Sequence, residues 1–146
     1  MLLVDANVLL YAVNADAPRH LEARAWLTEQ LVGSNPVGFA WVALLAFLRV
    51  STLPGLSPRP LPVQDALDVV ADWLDAPAST TVQPTARHPT ILRGLLLEAG
   101  TAGNLTTDAH LAALAIEHGA TICSYDRDFE RFPGVRWQLP AASASG

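Results

Sequence analysis

Three aspartates in this sequence border apolar segments, where a carboxylate is costly. Asp5 ends the apolar opening "MLLV", Asp108 lies at the start of "TTDAHLAALAIEH", and Asp126 follows "ATICSY". A carboxylate buried in such surroundings must be paired or must take up a proton. Clustered carboxylates repel one another and attract a cation, and oxygen donors without a cysteine cluster favour Mg²⁺ or Mn²⁺. Such an ion lowers the pKa of a bound water and stabilises a leaving oxygen, as phosphodiester hydrolysis requires.

Each acid also has a simpler interpretation. Asp108 follows two threonines at a helix start, where an acid caps free N–H groups and complements the helix dipole. Asp126 and Asp128, taken alone, are typical loop acids. Asp5 has no such explanation, because strand ends in apolar surroundings rarely carry acids. If the fold brings the three together, a shared site is favoured over three unrelated roles.

Alternating strands and helices would bring these acids together. The predicted strands cover residues 2–5, 37–40, 79–84, 120–125 and 135–139. The predicted helices cover residues 7–13, 16–32, 41–52, 63–76, 88–100 and 106–119, with loops at 53–62 and 126–134. This alternation indicates a parallel sheet covered on both faces. The carboxyl ends of its strands and the N-termini of its crossover helices share one edge, where ligands bind, and all three acids fall there.

Composition limits the class of protein. A chain of 146 residues that is 51% apolar can bury a core of its own, so we predict one domain over residues 1–139 and a disordered tail over 140–146. No apolar run is long enough to span a bilayer, and no basic segment precedes the apolar opening. The single cysteine, Cys123, cannot form an internal disulfide and is predicted in the core. We expect a cytoplasmic protein without membrane contact.

The charged residues exclude several functions. A net charge of −5 argues against broad, non-specific nucleic-acid binding, although it leaves room for a local basic groove. All nine basic residues are arginines, which excludes the phosphatase and receiver domains that place a lysine near the phosphoryl group. Neither G-x-G-x-x-G nor a P-loop is present, which excludes a nucleotide-binding Rossmann domain. The histidines are not predicted as ligands: His88 and His118 fall at helix ends, and His110 is a surface or core residue.

Three quoted segments carry a resemblance to a known family. The segments "LLVDANVLLYA", "AFLRV" and "TTDAHLAALAIEHGATICSYDRDFERFPG" resemble the PIN-domain family, and more narrowly the VapC toxins of bacterial VapBC toxin–antitoxin pairs. The resemblance covers roughly residues 1–139, and its terminal segment is the most specific. It implies an α/β/α sandwich with a central parallel sheet of four or five strands. It also implies an Mg²⁺- or Mn²⁺-dependent ribonuclease that acts on tRNA or rRNA, a homodimer, and a cognate VapB-type antitoxin.

The resemblance assigns roles to individual residues. Asp5, Asp108 and Asp126 match the family's metal-binding aspartates. Asn7 and Ser124 occupy small polar positions that support those acids through hydrogen bonds. Beyond the motif, we predict that Asp128 supports the same site and that Arg49 and Arg127 contact RNA phosphate.

One position departs from the family pattern. A glutamate usually precedes the Phe-Leu-Arg stretch of the third predicted helix, and here that position is Ala46. The loss leaves open a second interpretation, a degenerate PIN domain that binds antitoxin or RNA without cutting it. A binding module has little reason to retain three mutually repelling carboxylates, so catalysis is the favoured hypothesis.

Overall fold

Five short strands form a single parallel sheet at the centre of the molecule. The computed structural model describes residues 1–141, so most of the tail predicted at 140–146 lies outside the described residues. The strands are β1 (Leu2–Val4), β2 (Val37–Phe39), β3 (Ser79–Thr81), β4 (Thr121–Cys123) and β5 (Arg136–Gln138). They pair in the order β3-β2-β1-β4-β5, and every pair is parallel. The predicted parallel sheet of four or five strands is therefore confirmed.

Six helices cover the two faces of this sheet. They are α1 (Ala6–Val13), α2 (His20–Leu31), α3 (Trp41–Thr52), α4 (Val63–Asp75), α5 (His88–Ala99) and α6 (Thr106–His118). Successive β1 side chains point to opposite faces: Leu2 and Val4 join a core with α1 to α4, and Leu3 joins a second core with α5 and α6. The result is the predicted α/β/α sandwich.

Most predicted element ends differ from the structure by one to three residues, and two segments differ more, for local reasons. The helix predicted from residue 16 begins at His20, because the Asn14 side chain accepts a hydrogen bond from the Asp16 N–H and holds a turn there. The segment predicted as a loop after β4 contains a 3₁₀ turn at Arg127–Arg131, which the Asp126 side chain caps. Both differences come from Asx hydrogen bonds that hydrophobic periodicity does not register.

The proline-rich segment at 53–62 is a loop, as predicted. Cys123 is buried in β4, also as predicted. Within residues 1–141, no helix is long and apolar enough to cross a membrane.

Close packing beside the central strand depends on a glycine in β2. A Cβ built on Gly38 would lie 2.7 Å from Val82 Cγ2 and 3.2 Å from the Leu2 carbonyl oxygen. Contacts this short force the neighbours to move, and Leu2 belongs to the strand that precedes Asp5. The spacing of β1 and β2 therefore requires a residue without a side chain at this position.

We expect Gly38→Ala to lower the free energy of unfolding by about 1–3 kcal/mol, the usual cost of overpacking a core. The matched control is Gly94→Ala on the exposed side of α5, where a Cβ meets nothing within 4 Å. That control should stabilise by about 0.5–1 kcal/mol, because alanine is the better helix former. Thermal denaturation of the two variants measures both effects, and equal melting temperatures would contradict the packing argument.

Candidate active site

Asp5 lies where β1 becomes α1. Its backbone N–H donates to the Cys123 carbonyl, 3.0 Å away, so strand pairing continues up to the acid. Its backbone is extended, and its Oδ1 caps α1 by accepting from the Ala6 N–H at 2.8 Å. The observed strand β1 therefore ends at Val4, one residue before the end of the predicted strand, because Asp5 serves as the N-cap of α1.

Ser124 and Asn7 hold the second oxygen of this carboxylate. The Ser124 hydroxyl, fully buried, donates to Asp5 Oδ2 at 2.7 Å and accepts from Asn7 Nδ2 at 3.0 Å. Asn7 Nδ2 also lies 3.4 Å from Asp5 Oδ2, and Asn7 Oδ1 accepts from the Tyr125 N–H at 3.1 Å. The structure therefore places both predicted supporting residues in contact with Asp5, and together they tie the end of β1 to the end of β4.

Burial raises the pKa of Asp5 above its ordinary value. The hydrogen bonds from Ser124 and Ala6 act in the opposite direction, and the nearby Asp126 raises the pKa further. The hydrogen bonds favour the ionised form, but they do not offset the loss of hydration.

Asp108 lies in the first turn of α6, at the same edge of the sheet. Burial raises its pKa to about 6, and repulsion from Asp5, Asp126 and Asp128 adds to the shift, while Arg131 opposes it. No side chain caps α6 at Leu105, and the Asp108 side chain makes no hydrogen bond to any residue of 1–141. The structure therefore shows no capping hydrogen bond from Asp108, while its place in the first turn still allows its carboxylate to complement the helix dipole.

Asp126 follows β4 and is oriented by its own backbone neighbours. Its N–H donates to the Ser124 hydroxyl at 2.9 Å, and its Oδ1 accepts from the Asp128 N–H at 2.9 Å. Asp128 itself is exposed, with its carboxylate 3.9 Å from the Arg131 guanidinium. Asp126 therefore contacts the network around Asp5, and Asp128 supports Asp126 through its backbone N–H, while the Asp128 carboxylate acts on the acids only through charge.

A small cleft of about 30 Å³ opens beside these acids. Asp5 and Asp108 both line it, together with Thr107 and the Ala46 methyl group of α3. A space of this size holds about one water molecule or one ion. Ala46 thus faces the acids, where the resemblance expects a glutamate.

The donor set fits a hard divalent cation in its chemistry. Carboxylate oxygens are the ligands that Mg²⁺ and Mn²⁺ prefer. Burial is the main cause of the raised pKa of Asp108, and a cation would relieve the repulsion that adds to it. As the side chains are placed, no three His, Cys, Asp or Glu residues within 1–141 are grouped closely enough to ligate one ion together. A cation would therefore have to draw the acids inward.

The two predicted RNA-contact arginines lie in different places. Arg127 is exposed next to Asp126, and its guanidinium lies over the Trp137 ring, 5.7 Å from the ring centroid. Arg49 is exposed in the last turn of α3, whose first turns border the cleft. The structure brings Arg127 beside the acids and leaves Arg49 toward the far end of its helix.

A buried polar network behind α6 was not predicted. The Glu117 carboxylate accepts from the Thr85 N–H and hydroxyl at 2.8 and 2.6 Å and from His88 Nδ1, while His88 Nε2 lies 2.9 Å from His110 Nδ1. Burial acts to raise the pKa of Glu117, but these hydrogen bonds lower it overall. The network anchors the C-terminal end of the helix that carries Asp108. The hydrogen-bonded pairs of this network are 22 to 32 residues apart in sequence, so no local pattern predicts them.

Comparison with known proteins identifies the family. The PIN domain family matches residues 2–135. Ribonuclease VapC37 of Mycobacterium tuberculosis is 57% identical over 142 residues, covering 97% of this chain and 99% of the relative. Ribonuclease VapC33 of the same species is 41% identical over 140 residues, covering 96% and 98%.

Solved structures share the fold at low sequence identity. The crystal structure of VapC20 of M. tuberculosis, described as a sarcin-ricin loop cleaving toxin, has a TM-score of 0.68 at 18% identity and covers 93% of this chain and 99% of that one. VapBC2 from Rickettsia felis, solved with a DNA fragment from its promoter, has a TM-score of 0.65 at 19% identity and covers 94% and 97%. From the family match and the two close relatives, the chain belongs to the PIN domain family and, within it, to the VapC group.

Proposed function

We propose that this chain is a divalent-metal-dependent endoribonuclease and the toxin of a VapBC-type toxin–antitoxin pair. The convergence of Asp5, Asp108 and Asp126 at one sheet edge carries the proposal, since Asp126 adds to the raised pKa of Asp5 and both acids add to the raised pKa of Asp108. The names of the relatives, which are ribonucleases, support the reaction class.

In this proposal Asp5, Asp108 and Asp126 hold Mg²⁺ or Mn²⁺. When bound, such an ion supplies an activated water and stabilises the leaving oxygen of the phosphodiester. The chain's own residues prepare the acids. Ser124 and Asn7 hold the Asp5 carboxylate in one orientation, and Ser124 also receives the backbone N–H of Asp126. Loss of the Ser124 hydroxyl would therefore release two of the three acids at once.

The two predicted RNA-contact arginines differ in their position relative to the acids. Arg127 is the better placed of the two arginines to meet a phosphate, because it directly follows Asp126, whereas Arg49 lies further along α3.

We place the protein in the cytoplasm, where tRNA and rRNA are found and where the buried Cys123 would remain reduced.

A cognate VapB-type antitoxin is the proposed partner. An apolar cleft of about 340 Å³ lies between α1, α3 and the 53–62 loop, and its lining includes Leu10, Tyr11, Phe47 and Leu56. It would accept an apolar antitoxin segment, and a following arginine or lysine could then reach the acids. The solved VapBC complexes that share this fold support a partner of this kind.

A homodimer is the proposed assembly. Trp41 and Leu45, one helical turn apart on α3, are 43% and 58% exposed. Large apolar side chains exposed together mark an interaction surface. A second copy packing along α3 would cover both.

The alternative is a degenerate PIN domain that binds without cutting. Ala46 is the observation in its favour, since it removes an acid from the cleft. The repulsion retained among the other three acids favours catalysis, because repelling charges cost stability and a binding module gains nothing from them.

We expect Asp108→Asn to reduce RNA cleavage in Mn²⁺ by about a hundredfold or more, because one proposed ligand is lost. It should also raise the melting temperature in chelator by a few degrees. The pKa of Asp108 is higher in the folded chain, so its ionised form destabilises the fold at neutral pH, and asparagine carries no charge. Growth arrest on expression should disappear with the same substitution.

The control is Asp65→Asn on the exposed face of α4, which removes the same charge far from the cluster. Asp5→Asn should abolish cleavage too, but with a smaller gain in stability, because the single amide oxygen of asparagine cannot accept both the Ala6 N–H and the Ser124 hydroxyl as the two carboxylate oxygens do. If Asp108→Asn cuts RNA at the wild-type rate, the proposed metal site is wrong.

We expect Ala46→Glu to add an acceptor to the cleft and to lower the Mn²⁺ concentration needed for cleavage. Another acid among repelling carboxylates should lower the melting temperature in chelator and give a larger rise on adding Mn²⁺ than the wild type shows. Ala46→Gln, of similar size but uncharged, is the control. If both variants unfold regardless of metal, Ala46 is a packing position and not the site of a lost ligand.

We expect Leu45→Asp to convert a dimer into a monomer, because a carboxylate would be buried between the two copies of α3. Leu67→Asp on α4, where the leucine is 47% exposed, is the matched control and should leave the mass unchanged. Light scattering coupled to size-exclusion chromatography measures both. A wild-type chain that is monomeric at every concentration would contradict the proposed assembly.

A further inference from the structure

An aromatic ring and a guanidinium lie stacked beside the acids, outside the machinery described above. Tyr125 lies between Ser124 and Asp126 in sequence, and its ring packs against Tyr11 of α1 at 5.3 Å between centroids. The Arg19 guanidinium, at the start of α2, lies over the Tyr125 ring, 5.1 Å from its centroid. We call Arg19 and Tyr125 together the Arg19–Tyr125 platform.

One carboxylate holds both members of the platform in place. Glu22 Oε2 accepts from the Tyr125 hydroxyl at 3.1 Å and from Arg19 Nη1 at 3.1 Å. The guanidinium and the ring are thereby held in place before any ligand arrives, which reduces the ordering cost of binding.

Stability does not account for this arrangement. The Arg19 and Glu22 side chains are 54% and 41% exposed, and an ion pair so exposed to solvent contributes little to folding. A flat, cationic, pre-oriented surface is instead suited to stack a nucleobase.

The platform is anchored directly to the proposed metal site. The Tyr125 N–H donates to Asn7 Oδ1, the preceding hydroxyl of Ser124 donates to Asp5, and the following residue is Asp126. The platform is therefore built on the same chain segment that carries Ser124 and Asp126.

The net charge of the chain favours a stacking contact with RNA over a purely electrostatic one. With a net charge of −5, the protein gains no general electrostatic attraction for RNA, and the acids repel phosphate further. Stacking is independent of net charge and available to any base that is not already stacked in a duplex. We propose that the Arg19–Tyr125 platform stacks a base of the bound RNA and so helps to hold the strand at the acids. This inference rests on the proposed ribonuclease function.

The test uses the full-length chain and a short single-stranded oligoribonucleotide that carries a fluorescent adenine analogue. Binding is measured in chelator, where no cleavage occurs, from the quenching of the analogue that stacking produces. Cleavage of the same oligoribonucleotide is measured in Mn²⁺, with kcat and KM separated.

Arg19→Ala and Tyr125→Leu should each weaken binding about tenfold, or about 1.4 kcal/mol, and largely remove the quenching. KM should rise by a similar factor with kcat nearly unchanged, because the platform binds RNA without touching the reacting atoms. Tyr125→Phe keeps the ring and loses only the hydrogen bond to Glu22, so its binding should fall between that of the wild type and that of Tyr125→Leu. Arg24→Ala removes an exposed arginine from the same helix and should have little effect. Since Tyr125 is partly buried, the melting temperature of each variant is recorded, and the exposed Arg19 provides the test if Tyr125→Leu does not fold.

Each contrary result identifies what fails. If the wild type binds and cuts RNA but Arg19→Ala behaves like Arg24→Ala, with quenching intact, the platform is wrong and the ribonuclease proposal stands. If Arg19→Ala leaves RNA binding unchanged and weakens capture of the antitoxin, the surface serves a protein partner and the inference is overturned. If the wild type neither binds nor cuts RNA, both the inference and the proposed function fail.

Discussion

The hydrogen bond from the Ser124 hydroxyl to the Asp5 carboxylate is the interaction on which the acidic site depends. Its two residues are 119 positions apart, and it closes across the ends of β1 and β4, the two strands at the centre of the sheet's functional edge. Ser124 is completely buried, so its hydroxyl must be satisfied, and the acid satisfies it. The same oxygen receives the N–H of Asp126. One buried hydroxyl therefore sets the positions of two acids.

The electrostatics of the site work against the stability of the fold. Burial and the other acids raise the pKa of Asp108 to about 6. At neutral pH its ionised carboxylate therefore lowers the stability of the fold. The fold sustains this because the surrounding elements are firmly positioned. The close approach at Gly38 sets the spacing of β1 and β2, and the Glu117–His88–His110 network secures the far end of α6. Repulsion is thereby confined to one edge, where a cation can relieve it.

An arginine lies over an aromatic ring on each side of this edge. On the side of α1 and α2, Arg19 lies over Tyr125, and on the side of β5, Arg127 lies over Trp137. The two stacked pairs flank Asp126 in sequence. An overall acidic chain can thus present planar cationic surfaces next to its carboxylates without becoming a general polyanion binder.

Much of the architecture is determined by the sequence alone. The alternation of apolar strands and amphipathic helices indicates a parallel sheet, and the rule that crossovers are right-handed then places Asp5, Asp108 and Asp126 on one edge. These inferences hold because they rest on local periodicity and on a chirality that nearly all parallel sheets share. The departure at Ala46 is also visible in sequence, and its side chain does line the cleft.

Only the tertiary structure decides which polar groups meet. The pairing of Asp5 with Ser124, of His88 with Glu117 and of Arg19 with Tyr125 joins residues far apart in the chain, and each depends on strand order and helix packing. The role of Asp108 shows the difference most directly. Its position in the first turn of a helix is equally compatible with capping and with a metal site, and the sequence leaves both open. The structure adds what the sequence lacks: burial raises the pKa of Asp108, and the acids that raise it further follow β1 and β4, so they are brought close only when the sheet is assembled.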